Sequence, residues 1–351
     1  MKLLMTATTN TLQRYIRQTI FAPIGKSGQE RLSAATVAIV GCGALGSAIS
    51  DQLARAGVGR LRLIDRDFVE LHNLQRQSLF TEADVAERTP KAIAAGNRLA
   101  AVNSDIEIES IVDDLDSGNA EQLLAGADLI VDGTDNFETR YLLNDVAIAL
   151  GIPWVYGGVI GSYGMTMTIR PGETPCLQCA FPEPPPPGSA PTCDTAGVIA
   201  PAVHAIASIE VAEAIKLLTG ATDKLNNGLL AIDLWNLTFD QVPLGAPRPD
   251  CSACGKRELT FLNQPVSARE TVLCGQDSVQ VRVHPPVQLD LAALATRLRA
   301  AGDVQQNRFL LRFTDSATDR ELTIFPDGRA IISGTTDGDE ARRLYATYIG
   351  V

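Results

Sequence analysis

The segment Val37-Ala38-Ile39-Val40-Gly41-Cys42-Gly43-Ala44-Leu45-Gly46 decides the fold of this chain. Its apolar start predicts a short buried strand, and its glycines match the G-x-G-x-x-G turn that joins a strand to a helix. The first glycine allows the tight turn, the second lets the backbone approach phosphate, and the third lets the helix pack on the strand. Because a helix N-terminus also attracts anions, Gly41, Gly43 and Gly46 predict a nucleotide site.

Helix and strand patterns alternate outward from this turn. The predicted elements are helices over 11–20, 44–56, 90–102 and 137–150 and strands over 37–40, 60–65, 106–111, 128–132 and 153–156. This alternation predicts an α/β fold with a Rossmann-like, doubly wound and mainly parallel sheet. An antiparallel extension is expected from a strand over 165–170. A proline-rich loop, a mostly buried helix over 198–218 and a strand over 229–233 follow it.

A separate small α+β unit is predicted beyond about residue 259. Its pattern contains strands over 278–283, 308–313, 321–325 and 330–333 and helices over 289–300 and 340–348. We therefore expect two domains, one over residues 1–258 and one over residues 268–351.

Composition excludes several classes of protein. The formal net charge of −11 argues against nonspecific nucleic-acid binding, which needs a basic surface. The N-terminus has too short an apolar run for a signal peptide, and the longest apolar stretch carries Glu210, Glu213 and Lys216, so no membrane span is expected. A cytoplasmic protein is predicted. In that compartment paired cysteines more often bind metal or act in catalysis than form disulfides.

An acid ends the second predicted strand. Asp65 lies about 20 residues after the glycine turn, where a carboxylate can accept hydrogen bonds from ribose hydroxyls. The alternative is an ordinary acid at the end of a strand. Because turn, helix, strand and acid follow in the required order, nucleotide binding is favoured. These features alone would also fit an NAD-dependent oxidoreductase.

Two cations follow Asp65. Arg76, within Asn73-Leu74-Gln75-Arg76-Gln77, offers a planar fork for two phosphate oxygens, and Lys91 offers a point charge. Either residue alone is more often a solvated surface charge. Hydride transfer has no use for a guanidinium beside the phosphates. Chemistry at a nucleoside triphosphate does, because negative charge builds up there.

Thr134-Asp135-Asn136 follows the predicted strand over 128–132 and so lies at the edge of the sheet where ligands bind. Asp135 is a candidate ligand of Mg²⁺, which prefers carboxylate and phosphate oxygens. The alternative role for Asp135 is the N-cap of the helix that follows.

The seven cysteines include two C-x-x-C pairs, Cys176/Cys179 and Cys251/Cys254. Four thiolates suit a closed tetrahedral zinc site, here a clasp that joins distant segments. Two redox motifs are the less favoured alternative. Cys193 precedes the long helix, where a thiol can be a nucleophile or simply a small buried residue. Cys274 has no assigned role.

These motifs resemble, in their order, those of the ThiF/MoeB adenylyltransferases, the bacterial relatives of ubiquitin-activating enzymes. The resemblance covers about residues 11–258. It implies ATP and Mg²⁺ as cofactors, and transfer of AMP to the C-terminal glycine carboxylate of a ubiquitin-like sulfur carrier that ends in Gly-Gly. It also implies the site residues. Asp65 would hold ribose, Arg76 and Lys91 the phosphates and Asp135 the metal, with Asn73 and Asn136 at the nucleotide.

The resemblance implies further partners. Arg17 would reach the site of a partner subunit in a homodimer, the four paired cysteines would hold Zn²⁺, and Cys193 would match the cysteine that can link to the carrier or to sulfur. A sulfur donor such as a cysteine desulfurase is then expected. The C-terminal unit is similar to the tail of some bacterial ThiF-type proteins, which favours the thiamine carrier ThiS over the molybdopterin carrier MoaD. A noncatalytic carrier-binding scaffold is a further alternative.

Overall fold

A computed structural model describes residues 13–186, 193–264, 270–272, 277–283 and 287–350. The chain forms two compact units that divide between residues 264 and 265. Among the described helices, none combines the length and the apolar character that crossing a membrane requires.

The larger unit is built on an eight-stranded sheet. Its strands are β1 (Thr36–Val40), β2 (Arg60–Ile64), β3 (Glu107–Ile111), β4 (Leu129–Asp132), β5 (Trp154–Ile160), β6 (Tyr163–Ile169), β7 (Gly228–Asp233) and β8 (Thr238–Pro243). The order is β3-β2-β1-β4-β5-β6-β7-β8, parallel through β5 and antiparallel beyond it. The predicted fold class, with its antiparallel extension, is therefore confirmed.

Helices cover both faces of this sheet. They are α1 (Ile16–Ile20), α2 (Gly25–Ala34), α3 (Ala44–Ala56), α4 (Glu82–Ala86), α5 (Lys91–Val102), α6 (Ala120–Leu124), α7 (Phe137–Leu150), α8 (Leu177–Ala180), α9 (Cys193–Ala196) and α10 (Ala200–Thr219). Helices α3, α5 and α10 share one core with alternate residues of the strands, such as Ile39 and Val131. Helices α6 and α7 share the opposite core with Val40 and Ile130.

This arrangement places a crevice between β1 and β4. Strand β1 leads into α3 on one face, and its neighbour β4 leads into α7 on the other face. Connections that diverge in this way leave an opening at the carboxyl edge of the sheet, which is where ligands bind in open α/β folds.

Glycines let the backbones at this crevice approach closely. Gly41 has φ of +86°, and a Cβ there would lie 2.5 Å from the carbonyl oxygen of Gly133, just after β4. A Cβ at Gly46 would lie 1.8 Å from the carbonyl oxygen of Gly41. A side chain at Gly41 would push the turn away from β4, and a side chain at Gly46 would push the turn away from α3. Ala44 begins α3, and its methyl group is compatible with the helix.

The smaller unit has a six-stranded antiparallel sheet. Its elements are β9 (Glu270–Val272), β10 (Ser278–Val281), α11 (Leu291–Leu298), β11 (Gly302–Gln306), β12 (Leu311–Asp315), β13 (Glu321–Ile324), β14 (Ala330–Ser333) and α12 (Gly338–Tyr348). The order is β11-β12-β13-β14-β10-β9. Leu294 of α11 and Tyr345 of α12 share its core with Phe313.

Some predicted elements differ from those observed. The strand predicted over 308–313 lies over Leu311–Asp315. The elements that were not predicted are helices α2, α4, α6, α8 and α9 and strands β8, β9 and β11. Strand β8 is exposed throughout and β11 is mostly polar, so neither has the buried alternation that identifies a strand. The first predicted helix extends to residues 11–12, which lie outside the described residues, and α1 begins at Ile16.

Candidate active site

A cavity of about 230 Å³ opens at the carboxyl edge of the larger sheet. Side chains and backbone from the ends of β1, β2 and β4 line it, together with residues of β5 and β6. The structure brings seven of the predicted site residues to this cavity: Gly41, Gly43, Asp65, Arg76, Lys91, Asp135 and Asn136.

Asp65 joins the end of β2 to the glycine turn. Its Oδ2 accepts a hydrogen bond from the backbone N–H of Cys42 at 2.6 Å, and its Oδ1 accepts one from Asp67 at 2.7 Å. Burial raises the pKa of Asp65 to about 6, although the ammonium of Lys91 opposes the rise. The carboxyl group is thus held at the cavity wall by two backbone donors.

Lys91 is a buried cation at the start of α5. Its Nζ lies 3.0 Å from Oδ2 of Asp67, and its backbone N–H donates to the Asp67 carbonyl at 2.8 Å. Burial disfavours the charged form, but the carboxylates of Asp67 and Asp65 outweigh it and raise the pKa of Lys91. The ammonium is therefore a fixed positive charge at the cavity wall.

The loop after β4 presents a carboxylate. Asn136 is the N-cap of α7, since its Oδ1 accepts from the backbone N–H of Thr139 at 2.8 Å. The alternative interpretation of Asp135 as the cap is therefore wrong. Asp135 is exposed, and its carboxylate has no hydrogen bond or ion pair with any residue in the described part of the chain. Arg76, half-buried across the cavity, donates to the carbonyl of His72 at 2.9 Å.

Gly46, Asn73 and Arg17 are predicted nucleotide-site residues that lie outside the cavity lining. Gly46 lies beneath the turn, where it allows close packing. Asn73 is buried, and its Oδ1 accepts from the backbone N–H of Glu70 at 3.0 Å.

Arg17 is exposed on α1. Its neighbour Gln18 donates to the carbonyl of Ala56 at 2.9 Å, at the C-terminal end of α3. The glycine turn is at the other end of this 13-residue helix, about 20 Å away. Arg17 is therefore remote from the cavity of its own chain.

Sequence reasoning missed Arg140 and Tyr156, which also line the cavity. Arg140 is buried. Its Nε lies 3.1 Å from Oδ2 of Asp132, and its Nη2 donates to the carbonyls of Thr134 at 2.7 Å and Gly157 at 3.0 Å. Tyr156 ends the strand predicted over 153–156, so its place at the carboxyl edge was the signal that could have identified it.

The four paired cysteines form a second site, called here the cysteine cluster: Cys176, Cys179, Cys251 and Cys254. All four sulfurs lie within 4.8 Å of one another, and three of the six pairs are 3.4, 3.6 and 3.9 Å apart. Tetrahedral zinc with Zn–S bonds of about 2.3 Å needs sulfurs about 3.8 Å apart, so the cluster fits zinc. Burial and the neighbouring sulfurs raise the pKa of Cys176, and a bound cation would stabilise its thiolate.

Two further cysteines had open roles. Cys193 begins α9, and Val198, five residues later, lines the cavity. The backbone N–H of Gly161 donates to the carbonyl of Gly197 at 2.8 Å, which fixes this segment beside β5. Cys193 therefore lies five residues before a residue of the cavity wall. Cys274 lies outside the described residues.

Fold and cavity together define a doubly wound α/β protein of the nucleotide-binding type. The model of the ThiF family matches residues 15–253, and the chain belongs to this family. The sulfur carrier protein ThiS adenylyltransferase of Bacillus subtilis is 44% identical over 339 residues, which cover 96% of this chain and 99% of that protein. The family resemblance inferred from the motifs is confirmed.

Other relatives cover the larger unit. The sulfur carrier protein adenylyltransferase of Thermus thermophilus is 41% identical over 253 residues, 71% of this chain and 92% of that protein. The crystal structure of E. coli MccB with ATP superposes with a TM-score of 0.57 at 26% identity, over 65% of this chain and 69% of MccB. The match to MccB supports nucleotide binding by the shared fold.

Proposed function

We propose that this chain is an ATP-dependent adenylyltransferase that activates the C-terminal glycine carboxylate of a ubiquitin-like sulfur carrier, of the ThiS type, for thiamine thiazole synthesis. One observation carries the proposal: a buried cation, a half-buried guanidinium and a carboxylate that has no ion pair among the described residues line one cavity behind a glycine turn. The nearly full-length similarity to the ThiS adenylyltransferase of Bacillus subtilis supports this carrier.

The nucleotide occupies the cavity along the ends of the strands. Asp65 accepts from the ribose hydroxyls, the glycine turn approaches the phosphates, and Arg76 and Lys91 neutralise them. Asp135 holds Mg²⁺, which supplies further positive charge at the phosphates. The absence of any ion pair at Asp135 among the described residues fits this role. Asn73 and Asn136 support the two loops that carry Arg76 and Asp135.

The reaction joins two anions. A carboxylate oxygen of the carrier attacks the α-phosphorus of ATP and forms a new P–O bond. The bond from that phosphorus to the bridging oxygen breaks, and the electron pair leaves with pyrophosphate. The carboxylate is already ionised at neutral pH, so no general base is needed. The cations offset the repulsion between the reactants and stabilise the transition state.

An apolar surface beside the cavity suits a protein substrate. Trp235, Leu237 and Phe239 are 78%, 73% and 64% exposed, at the turn between β7 and β8. Register pairs Tyr163, which lines the cavity, with Asp233, so this turn lies at the carboxyl edge of the sheet. Contiguous exposed apolar side chains mark sites of protein contact. We assign the body of the carrier to this surface and its C-terminal tail to the cavity.

The remaining assignments follow from the same function. Arg17, remote from its own cavity, reaches the phosphates in the site of a partner subunit, so the enzyme is a homodimer. The cysteine cluster holds one structural Zn²⁺. Cys193 links to the carrier or to sulfur supplied by a donor such as a cysteine desulfurase. The larger unit is the catalytic domain and the smaller one an accessory domain, in a cytoplasmic enzyme.

The carrier itself is open to a second possibility. Relatives include the SAMP-activating enzyme E1 of Haloferax volcanii, 41% identical over 245 residues, 70% of this chain and 89% of that protein. Enzymes of one family thus serve different carriers, and activation of a MoaD-type carrier is the alternative here. An oxidoreductase would leave Arg76, Lys91 and Asp135 without a role, and membership of the ThiF family speaks against it.

ATP–pyrophosphate exchange tests the proposal. The zinc-loaded protein should incorporate labelled pyrophosphate into ATP only when a carrier that ends in Gly-Gly is present. Exchange with a ThiS-type carrier alone would support the thiamine pathway, and exchange with a MoaD-type carrier alone would favour the alternative. Absence of exchange with both carriers would contradict the proposed activity.

A further inference from the structure

Two buried polar side chains at the β5 side of the cavity retain unused hydrogen-bond donors. Tyr156 is 3% exposed and Arg140 is 6% exposed, yet both line the cavity. The hydroxyl of Tyr156 and the Nη1 of Arg140 donate to no residue in the described part of the chain. Neither atom is completely buried, so both remain accessible from the cavity. Buried polar groups are normally paired, so such donors indicate a ligand.

Gly158 leaves space between these two side chains. A Cβ at this position would lie 3.0 Å from the hydroxyl oxygen of Tyr156 and 3.5 Å from Nη2 of Arg140. Gly158 also lines the cavity. The three residues therefore form a small open corner with two donors and no side chain to fill it.

The corner is rigid before any ligand arrives. Bonds from Nε and Nη2 of Arg140 to Asp132, Thr134 and Gly157 fix its guanidinium between β4 and β5. The Tyr156 ring lies against the same group, with 5.4 Å from Cζ of Arg140 to the ring centroid. Donors fixed in this way need little reorganisation to bind an anion.

We infer that Arg140, Tyr156 and Gly158 bind the terminal carboxylate of the carrier. This inference rests on the proposed function, because it names the place where the acyl substrate enters. A planar carboxylate can accept one hydrogen bond from Tyr156 and one from Arg140. The phosphates of ATP have their own partners in Lys91, Arg76 and the glycine turn. The corner formed by Arg140, Tyr156 and Gly158 is therefore available for the second anion, the carboxylate of the carrier.

The assignment is tested with Tyr156→Phe, which removes one hydroxyl and keeps the ring. In pyrophosphate exchange, the KM for the carrier should rise about tenfold while the KM for ATP stays unchanged, as expected for a lost hydrogen bond to a charged group. Tyr141→Phe is the matched control. It removes the same atom from the same hydrophobic core, but its hydroxyl donates to the Phe181 carbonyl at 2.8 Å and does not line the cavity.

A binding measurement separates the carboxylate from other parts of the carrier. Calorimetry should show that the wild-type protein binds the carrier more tightly than the same carrier with a C-terminal amide, and that Tyr156→Phe loses most of this preference. Gly158→Ala, whose methyl group enters the corner, should lose it as well.

A raised KM for ATP in Tyr156→Phe would overturn the inference in favour of a phosphate contact. An undiminished preference for the carboxylate would also overturn it. If the wild-type protein catalyses exchange while Tyr156→Phe matches it in every respect, only this inference fails. If the wild-type protein neither catalyses exchange nor binds the carrier, both the inference and the proposed function fail.

Discussion

Residues of one helix, α7, support both the cavity and the cysteine cluster. The two sites differ in whether the polar groups beside them have hydrogen-bond partners among the described residues. At the N-terminal end of α7, Arg140 and Asn136 fix the loop of Asp135, which lines the cavity and has no hydrogen bond or ion pair among the described residues. In its C-terminal half, Asn144 accepts from the backbone N–H of Leu177, and Asp145 accepts from that of Phe261, each at 2.8 Å.

The cluster brings four like groups together and closes around one position. The cavity brings unlike charges together, and a carboxylate and two donors there have no hydrogen-bond partner in the part of the chain that the structure describes. A site that is complete with one metal stabilises the fold. A site that stays incomplete until its substrates bind can favour a transition state. We therefore expect changes in the cavity to affect activity and changes in the cluster to affect stability.

The largest effect should come from Asp135. Asp135→Asn keeps the shape of the side chain and removes the charge proposed to hold Mg²⁺, so the rate of pyrophosphate exchange should fall on the order of 1,000-fold. The free energy of unfolding should stay within about 0.5 kcal/mol, because the carboxylate is exposed. Glu138→Gln, a nearby exposed acid that does not line the cavity, is the matched control. Full activity of Asp135→Asn would remove the metal assignment.

A change in the cysteine cluster should have the opposite result, with its main effect on stability. Cys251→Ser should lower the zinc content from about one ion per chain and reduce the free energy of unfolding by several kcal/mol, because binding energy at a structural zinc site is folding energy. Cys42→Ser is the control, since Cys42 is a buried thiol outside the cluster and should leave the zinc content unchanged. Metal analysis and thermal unfolding are the measurements. A stable, metal-free wild-type protein would contradict the zinc assignment.

Two buried carboxyl groups, one at the cavity and one beside the cysteine cluster, offer a sharper test of the difference between the two sites. Burial raises the pKa of both Asp65 and Asp145 to about 6, against the opposing Lys91 ammonium at Asp65 and the opposing Phe261 and Leu262 amides at Asp145. Between the ordinary value of 3.8 and about 6, the folded state binds more protons than the unfolded state. The stability that each group contributes is therefore present at low pH and is lost as the pH rises towards 6.

Only Asp65 should also govern activity, because its ionised form is the one that accepts from ribose. We expect kcat/KM for ATP to fall about tenfold for each pH unit below about 6. Asp145→Asn should keep this profile and change only the pH dependence of the unfolding free energy. If Asp145→Asn removed the fall in activity, the cysteine cluster and the cavity would be coupled through α7.

Local patterns predicted most of the frame of the cavity. Gly41 and Gly46 indicate that the backbone of the turn approaches β4 and α3 closely. Asp65 follows them at a fixed spacing within one strand–turn–helix–strand unit. Lys91 was identifiable because it begins a helix after Pro90. Each of these signals lies within a few tens of residues, where periodicity and turn chemistry are informative.

The corner formed by Arg140 and Tyr156 could not be predicted as a whole in this way, although Tyr156 ends a predicted strand. It depends on β4 and β5 being neighbours and on an arginine turned inward from α7, and neither fact has a local signature. The same holds for β8, whose exposed side chains give no alternation. The sulfur–sulfur distances in the cysteine cluster likewise depend on pairs 75 residues apart in the chain.

The smallest effect on activity should come from Glu210, which is buried on α10 behind the cavity. It is 0% exposed, and neither carboxyl oxygen has a hydrogen-bond partner among the described residues. A Cβ at Gly157 would lie 2.3 Å from its Oε1, so the group packs directly on β5. Burial, reinforced by Asp132 and opposed by Arg140, raises the pKa of Glu210 well above its ordinary value. We therefore expect the side chain to be a neutral acid in the folded protein.

Glu210→Gln should leave pyrophosphate exchange unchanged. Its free energy of unfolding should exceed that of the wild-type protein, by an amount that grows as the pH rises. The unfolded wild-type chain releases the Glu210 proton above about pH 4.5, which favours unfolding by about 1.4 kcal/mol per pH unit until the folded protein also ionises. Glutamine has no proton to release. Glu213→Gln, one turn along α10, is the matched control and should destabilise by about 1 kcal/mol. Its carboxylate pairs with Lys216 at 2.5 Å and accepts from Thr168 Oγ1 at 2.8 Å. Equal losses of stability in both variants would mean that Glu210 is ionised and paired in the folded protein.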